Sequence, residues 1–309
     1  MKDYVITNQP AFKKLMQFIQ AGGPEEHEYE EMNMLWDSLI VQDIPSDDGH
    51  TSHKLVDLFG EEFLQNTIQG YSFRKPHGYA GDYEIIDLIY QKKLISEKKF
   101  QKWDKYLHSL HATRAVRNRK DYFIQLVKSH VEKAEAPIRI LDIASGPCRD
   151  VLELFQQVNP NKVRLHCVDL DRDAIQYAQN LLGDFSNAVQ FTRANIFKFD
   201  TTEQFDLIWS AGLFDYFNDD DFVKVLTKIH SWCAPGGEVV VGNFSVENPT
   251  RAYMEKAYDW FLYHRTYWDL ALLASKVTGD TDLIDVRSEP LGVNLFVHMK
   301  SGSSNNKSN

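Results

Sequence analysis

Cysteine is scarce in this chain. Cys148, Cys167 and Cys233 are the only three in 309 residues, and an odd number spread this widely supports neither a disulfide framework nor a cysteine-rich zinc motif. Reduced thiols in a cytoplasmic protein are the expectation. Long apolar runs are missing too: no window approaches the roughly 20 apolar residues that a membrane helix needs. Lysines interrupt the apolar residues of 1–20, so nothing there resembles the core of a signal peptide. Positive charge is in deficit. A formal net charge of -10 argues against a nucleic-acid partner, because affinity for phosphate backbones comes from Lys and Arg that neutralise them. The eleven histidines fall at no metal-ligand spacing, so no metal is expected. The segment 301–309, Ser-Gly-Ser-Ser-Asn-Asn-Lys-Ser-Asn, has nothing to bury and is expected to be disordered.

What the chain does have is 43% hydrophobic residues, enough for one large domain or a medium one with a substantial appendage. Its texture changes near residue 136. Before that point the periodicity is helical: Phe12, Leu15, Met16 and Ile19 share one stripe that Gly22 and Gly23 close. Further helices are predicted through Met34 to Leu39, Leu55 to Ile68, Tyr83 to Leu94, Phe100 to Leu110 and Arg114 to Val131. The expected division is a helical region over 1–135 and a second domain over 136–300.

One segment breaks the helical pattern. Ser72 to Tyr83 packs two glycines, a proline, a histidine and two cations into one loop. It reads either as a helix connection capped by Asp82 or as a lid whose polar tips face a pocket.

After Pro137 strands alternate with helices, which predicts βαβ units and a mostly parallel sheet. The predicted strands are Ile138 to Ile143, Val163 to Val168, Val189 to Thr192, Phe205 to Ser210 and Glu238 to Phe244. Two more, Leu283 to Ser288 and Leu295 to Met299, lie either side of a turn too short for a parallel return, so they form an antiparallel hairpin. Between them and the fifth strand, one helix opened by Asn248 and Pro249 is expected to carry Tyr258, Trp260, Phe261, Tyr263, Tyr267 and Trp268.

Ligands of open α/β sheets sit outside the carboxyl ends of the strands. The unusual residues of this half lie there. Asp142 and the small-residue turn Ala144, Ser145 and Gly146 end the first strand, letting backbone N–H groups approach a ligand at the start of a helix. Asp169 ends the second strand, where a carboxylate grips a ribose diol. Asn195 is placed to meet an adenine edge, with Leu170 and Ile196 on either side of the ring, and Ser210 to Gly212 end the fourth strand.

This combination resembles the class I S-adenosylmethionine-dependent methyltransferases. Leu-Asp-Ile-Ala-Ser-Gly-Pro-Cys looks like their first motif, Val-Asp-Leu-Asp their second, Ala-Asn-Ile-Phe their third and Phe-Asp-Leu-Ile-Trp-Ser their fourth. The resemblance implies a doubly wound, Rossmann-like sheet of seven strands, mostly parallel, with S-adenosyl-L-methionine as cofactor. It implies that Asp142 and the turn backbone face the methionine part, Asp169 the ribose, and Asn195 with Ile196 the adenine, with Ser210 and Gly212 completing the site. Where the family often has three alternating glycines, this chain has Ala144, Gly146 and Cys148.

The loop Arg-Lys-Pro-His-Gly-Tyr-Ala-Gly-Asp-Tyr, with Trp-Phe-Leu-Tyr-His-Arg-Thr further on, is similar to a bacterial group described as 3-hydroxypalmitic acid methyl ester biosynthesis methyltransferases. That implies methyl transfer to a small, lipid-like carboxylate. An ionised carboxylate needs little base catalysis; it needs its oxygen held in line with the methyl group. Arg74, His77 and Tyr79 on the lid, Tyr263 and Arg265 further on, and Tyr216 beyond the fourth strand are the candidate catalytic groups, with Tyr79 also reaching the cofactor. Arg265 has a plainer alternative, pairing with an acidic neighbour. Methylation of an amine or phenol is the competing reading, and it requires a base such as His77, His264 or Asp82. A catalytically inactive S-adenosylmethionine-binding protein is the third.

Overall fold

The computed structural model describes residues 9–39 and 57–302. The chain divides into two compact units, one of residues 1–114 with 249–261, the other of 115–248 with 262–309. The expected boundary near 135 differs because the division falls inside one long helix, His111–Lys133. Among the described residues no helix is long and apolar enough to cross a membrane. The tail read as disordered lies, from 303 on, outside the described residues.

The first unit is helical. Gln9–Gln20 forms the predicted first helix and buries Ala11, Leu15 and Phe18. Tyr29–Ser38 follows, burying Met32, Leu35 and Trp36. The helix predicted to run to Ile68 is broken instead: Glu61–Asn66 ends before Thr67, whose extended backbone and hydroxyl, accepting from the Gly70 N–H, start a new helix, Ile68–Arg74. Tyr83–Gln91 and Gln101–Ser109 complete this half.

The second unit is a seven-stranded sheet. Its strands are β1 Ile138–Ile143, β2 Val163–Asp169, β3 Val189–Arg193, β4 Phe205–Ser210, β5 Cys233–Phe244, β6 Ile284–Ser288 and β7 Asn294–Lys300. Their order is β3-β2-β1-β4-β5-β7-β6. The first five strands are parallel, and β7 runs antiparallel to both β5 and β6. β5 starts earlier than predicted because Pro235, Gly236 and Gly237 are carried inside its amino end, where the register with β4 shifts between Phe205 and Leu207.

Side chains alternate between the two sheet faces. Ile143, Ile208, Val241 and Val297 pack on the helices Asp219–His230 and Tyr267–Thr278 through Phe222, Leu226, Leu270 and Leu273. Ile140, Leu165, Trp209 and Phe296 face the other way, toward Phe123 and Val127 of His111–Lys133 and Leu154 of Arg149–Phe155.

The aromatic helix expected after Pro249 is two helices. Arg251–Tyr258 stops at Asp259, which is left-handed at φ 52 and returns its N–H to Met254. Tyr267–Thr278 starts on its own signal, a capping box in which Thr266 accepts from the Asp269 N–H and Asp269 accepts from the Thr266 N–H. Phe261 and Tyr263 therefore lie outside any helix.

Gly242 in β5 is a packing constraint. A Cβ there would overlap the carbonyl oxygen of Ala211, just past β4, and press on Asn294. Gly242→Ala is expected to destabilise the protein by about 1 to 3 kcal/mol, measured as a lower thermal midpoint.

Candidate functional site

The carboxyl edge of the parallel strands carries a cradle made mostly of backbone. Ala144, Gly146 and Cys148 all adopt left-handed conformations, at φ 55, 56 and 53. The alternation expected of three glycines thus survives in the backbone although only one glycine remains. Holding non-glycine residues there costs roughly 1 to 2 kcal/mol each, which the fold supplies by burying Cys148 completely against Cys167. The Ala144 N–H is held by the carbonyl of Val168, and Arg149–Phe155 begins directly after the turn.

Two carboxylates frame this turn. Asp169 accepts from the Gly146 N–H at 2.9 Å through Oδ2 and from the Asp171 N–H at 2.9 Å through Oδ1. It ties the turn to β2, and each oxygen keeps a lone pair for a further donor. Asp142 is buried at the end of β1, and its Oδ2 has no hydrogen-bond partner. Burial, followed by the nearby charges of Asp150 and Asp169, holds the Asp142 carboxyl well above the usual range. A buried carboxyl with one oxygen unpartnered, beside a backbone cradle, fits the ammonium of an amino-acid ligand.

Asn195 spends its Oδ1 on the Phe197 N–H at 2.9 Å. Leu170 is 58% exposed, as a wall for a ring requires, but Ile196 is 6% exposed and belongs to the core. The expected apolar partner of Leu170 is corrected here: the connection folds back through the Lys198 and Phe199 N–H groups onto the Asn195 carbonyl. That turns Ile196 inward and leaves Phe197 exposed beside it. Ser145 is buried in the turn, while the fully buried Ser210 hydroxyl donates to the carbonyl of Ile143 and joins the ends of β1 and β4. Gly212 has a different reason: a Cβ there would lie 2.8 Å from Nη1 of the buried Arg119.

Beyond β4 the chain is held by a buried clamp. Arg265 is 4% exposed. Its guanidinium donates to Asn243 Oδ1 at 2.6 Å, to the carbonyls of Phe217 at 2.6 Å and Phe214 at 3.4 Å, and to Asp219 at 2.9 Å. Asn243 donates to Asp215 Oδ1 and to the Tyr263 carbonyl, and the Tyr263 N–H returns to the Asp215 carbonyl. The plainer reading of Arg265, an ion pair, is what the geometry displays. Tyr216 and Tyr263 stand on the clamped segments with exposed side chains.

Arg74, His77 and Tyr79 belong to the helical unit: Arg74 ends the helix Ile68–Arg74, and His77 and Tyr79 lie on the segment that joins it to Tyr83–Gln91. Arg74 is exposed and donates to Gln65 at 3.0 Å. The His77 ring packs against Tyr83 at a tilt of 56°, ring centroids 4.6 Å apart, with Nε2 4.0 Å from Glu84. Tyr79 is exposed. Asp82 caps Tyr83–Gln91 by accepting from the Ile85 N–H and is itself buried.

Comparison with known proteins now bears on this edge. The pattern of the methyltransferase domain family matches residues 140–237, from within β1 to the Gly-Gly of β5. Residues 140–237 are thus similar to a methyltransferase domain, and S-adenosylmethionine is the cofactor that such a domain takes. No curated protein matches the sequence significantly. Among solved structures, a possible exported protein from Bordetella parapertussis is similar over 95% of this chain and 97% of its own, with 15% identity and a TM-score of 0.65. The CurJ carbon methyltransferase aligns over 95% of this chain and 92% of its own, at 14% identity and a TM-score of 0.52. The plantazolicin methyltransferase BpumL, in complex with SAH, covers 82% of this chain and all of its own, with 14% identity and a TM-score of 0.51. At these identities the likeness is one of fold.

Arg119, Asp150, Asp215 and Asn243 escaped the sequence reading. Arg119 acts electrostatically on both Asp150 and Asp215, and Asn243 links Asp215 to Arg265. The one available signal was polar residues interrupting apolar stretches. Among the described residues no group of His, Cys, Asp and Glu is arranged to hold a metal.

The buried acids make stability depend on pH. Burial pushes Asp150 up to about 6 and Asp215 up to about 7, from an ordinary 3.8. Between about pH 4 and 7 the folded domain therefore keeps protons that the unfolded chain has released, so stability falls as pH rises through that window. Glu238 behaves oppositely: burial raises it, but hydrogen bonds from His130 and His298 bring it below the usual range. Its contribution is present above the ordinary 4.5 and lost only under more acid conditions. Urea midpoints are expected to be lower at pH 8 than at pH 5, with the difference reduced in Asp215→Asn.

Proposed function

We propose that this protein transfers the methyl group of S-adenosylmethionine to the carboxylate of a lipid-like small molecule such as a hydroxy fatty acid. The cofactor assignment rests on the left-handed alternation of Ala144, Gly146 and Cys148 beside Asp142 and Asp169. In this reading the turn backbone and Asp142 receive the methionine part, Asp169 the ribose diol, and Asn195 with Leu170 the adenine, with Phe197 replacing Ile196 as the apolar neighbour. The cofactor supplies an electrophilic methyl on a sulfonium; the protein supplies position.

What supports a carboxylate acceptor is the state of the groups that other acceptors would need. Of the three candidate bases, Asp82 is committed to capping a helix. His264 has Nδ1 on the Leu262 carbonyl at 3.2 Å and Nε2 against the Asn248 amide at 3.3 Å. His77 lies against Tyr83 and Glu84. By contrast, Tyr216 and Tyr263 in the sheet unit present exposed phenolic ends, and in the helical unit Arg74 and Tyr79 present an exposed cation and phenol; groups of either set suit an anion that needs orientation and not deprotonation. Arg265, spent within the fold, drops out as a group that touches the acceptor.

The test is transfer of labelled methyl from S-adenosylmethionine to fatty acids, 3-hydroxy fatty acids, amines and phenols. A base-labile methyl ester is the expected product. A base-stable product on an amine or phenol would sink the carboxylate reading, and cofactor binding without any product would favour the inactive binding protein.

A further inference from the structure

The loop that carries the candidate acceptor groups is pinned at both ends. At its far end Asp82 caps the next helix and accepts from the Tyr71 hydroxyl, which also donates to Glu84 at 2.8 Å. At its near end stands Lys75, left-handed at φ 47, whose N–H closes the last turn of Ile68–Arg74 onto Tyr71. Its ammonium donates twice to one residue, to Asp259 Oδ2 at 2.7 Å and to the Asp259 main-chain carbonyl at 2.8 Å. Asp259 is left-handed as well and ends Arg251–Tyr258, so the lysine charge sits at the negative end of that helix. Both side chains are about three-quarters buried, with 24% and 22% exposure. Two non-glycine residues in a strained region, joined through both side chain and main chain, make an arrangement that persists only where the surroundings over-determine it. The Gly78 N–H donates to the Lys75 carbonyl at 2.7 Å and carries the constraint toward exposed Tyr79.

The geometry points to Lys75 and Asp259 as a positioning pair that fixes the loop bearing His77 and Tyr79, directly after Arg74, for the acceptor. This rests on the proposed reading of that loop as the acceptor loop. Neither member touches the acceptor; each acts through the loop. An isolated surface ion pair would contribute little, but here the main-chain bond sets where the lysine ends, and with it where the loop begins.

Amide hydrogen exchange over 76–82 tests the pair without knowledge of the acceptor. Lys75→Met and Asp259→Asn are expected to speed exchange of those amides about tenfold, leaving the sheet amides of β1 and β4 unchanged. Lys75→Arg, which keeps the charge, should restore most of the protection. With a fatty acid that the wild type methylates, KM for that acid should rise about tenfold in Lys75→Met, with kcat changed less and cofactor affinity unaltered. Unchanged loop exchange overturns the pair's role whatever the acceptor proves to be. Faster loop exchange in a protein that methylates no carboxylate supports the pair and overturns only the reading of the loop. Should Lys75→Met loosen the whole protein, Lys75→Arg decides: slow loop amides support the proposal and fast ones overturn it.

Discussion

Arg265→Met is expected to lower stability by about 3 kcal/mol, because three buried acceptors lose their donor at roughly 1 kcal/mol or more each. Those acceptors are Asn243 Oδ1 and the carbonyls of Phe214 and Phe217. The ion pair itself adds little, since the Asp219 side chain is 69% exposed and water screens it. Methionine fills much of the space between the rings of Phe222 and Tyr263, which the guanidinium now occupies, so the loss reports hydrogen bonds more than a cavity. Arg265→Lys should recover only a part, because an ammonium cannot reproduce the planar fork that serves several partners at once. The urea midpoint is the measurement. A midpoint like that of the wild type, together with lost turnover, would return Arg265 to the acceptor and overturn its reading as a clamp.

The second large effect is on cofactor affinity. Asp169→Ala removes the ribose carboxylate and also releases the Gly146 and Asp171 N–H groups that it holds. Losing hydrogen bonds to a charged group costs about 1.5 to 3 kcal/mol, which corresponds to a fall in affinity of roughly 10- to 150-fold. Asp169→Asn separates the two contributions. It keeps one acceptor oxygen for the turn but loses charge, so its affinity should lie between wild type and Asp169→Ala. Calorimetry with S-adenosylhomocysteine checks both, and equal affinities in all three proteins would remove Asp169 from the cofactor site.

Much of the sheet was legible in the sequence, and the reasons are local. β1 and β4 have the predicted bounds because each is a short, apolar-rich run closed by a turn of small residues. The antiparallel hairpin followed from turn length alone. The single aromatic helix expected from the sequence is two, because Asp259 in the left-handed region and the Thr266 to Asp269 capping box divide it. β5 begins before its predicted start at Glu238 because an irregular strand end tolerates Pro235 to Gly237.

At the site, residues whose roles depend on adjacent backbone were easier to read than those whose partners are distant in the chain. The cradle and Asp169 are set by one βαβ unit, so their spacing in sequence carries their geometry. Ile196 looked like a ring wall because it is apolar and next to Asn195, but burial is decided by the core behind it. Arg119, Asp215, Asn243 and Arg265 converge from four separate segments, and no spacing rule brings such residues together. The lid loop was recognised by its composition. Its pinning by Lys75 to Asp259 joins positions 184 residues apart and was not.

The most direct test of the central claim is the crystal structure of the complex with S-adenosylhomocysteine. The expected result has the homocysteine against the backbone of Ala144 to Gly146 with its ammonium on Asp142, the ribose diol on Asp169 and the adenine beside Asn195 and Leu170. A ligand bound elsewhere, or a nucleotide at this edge making no contact with Asp169 and the turn, would contradict it.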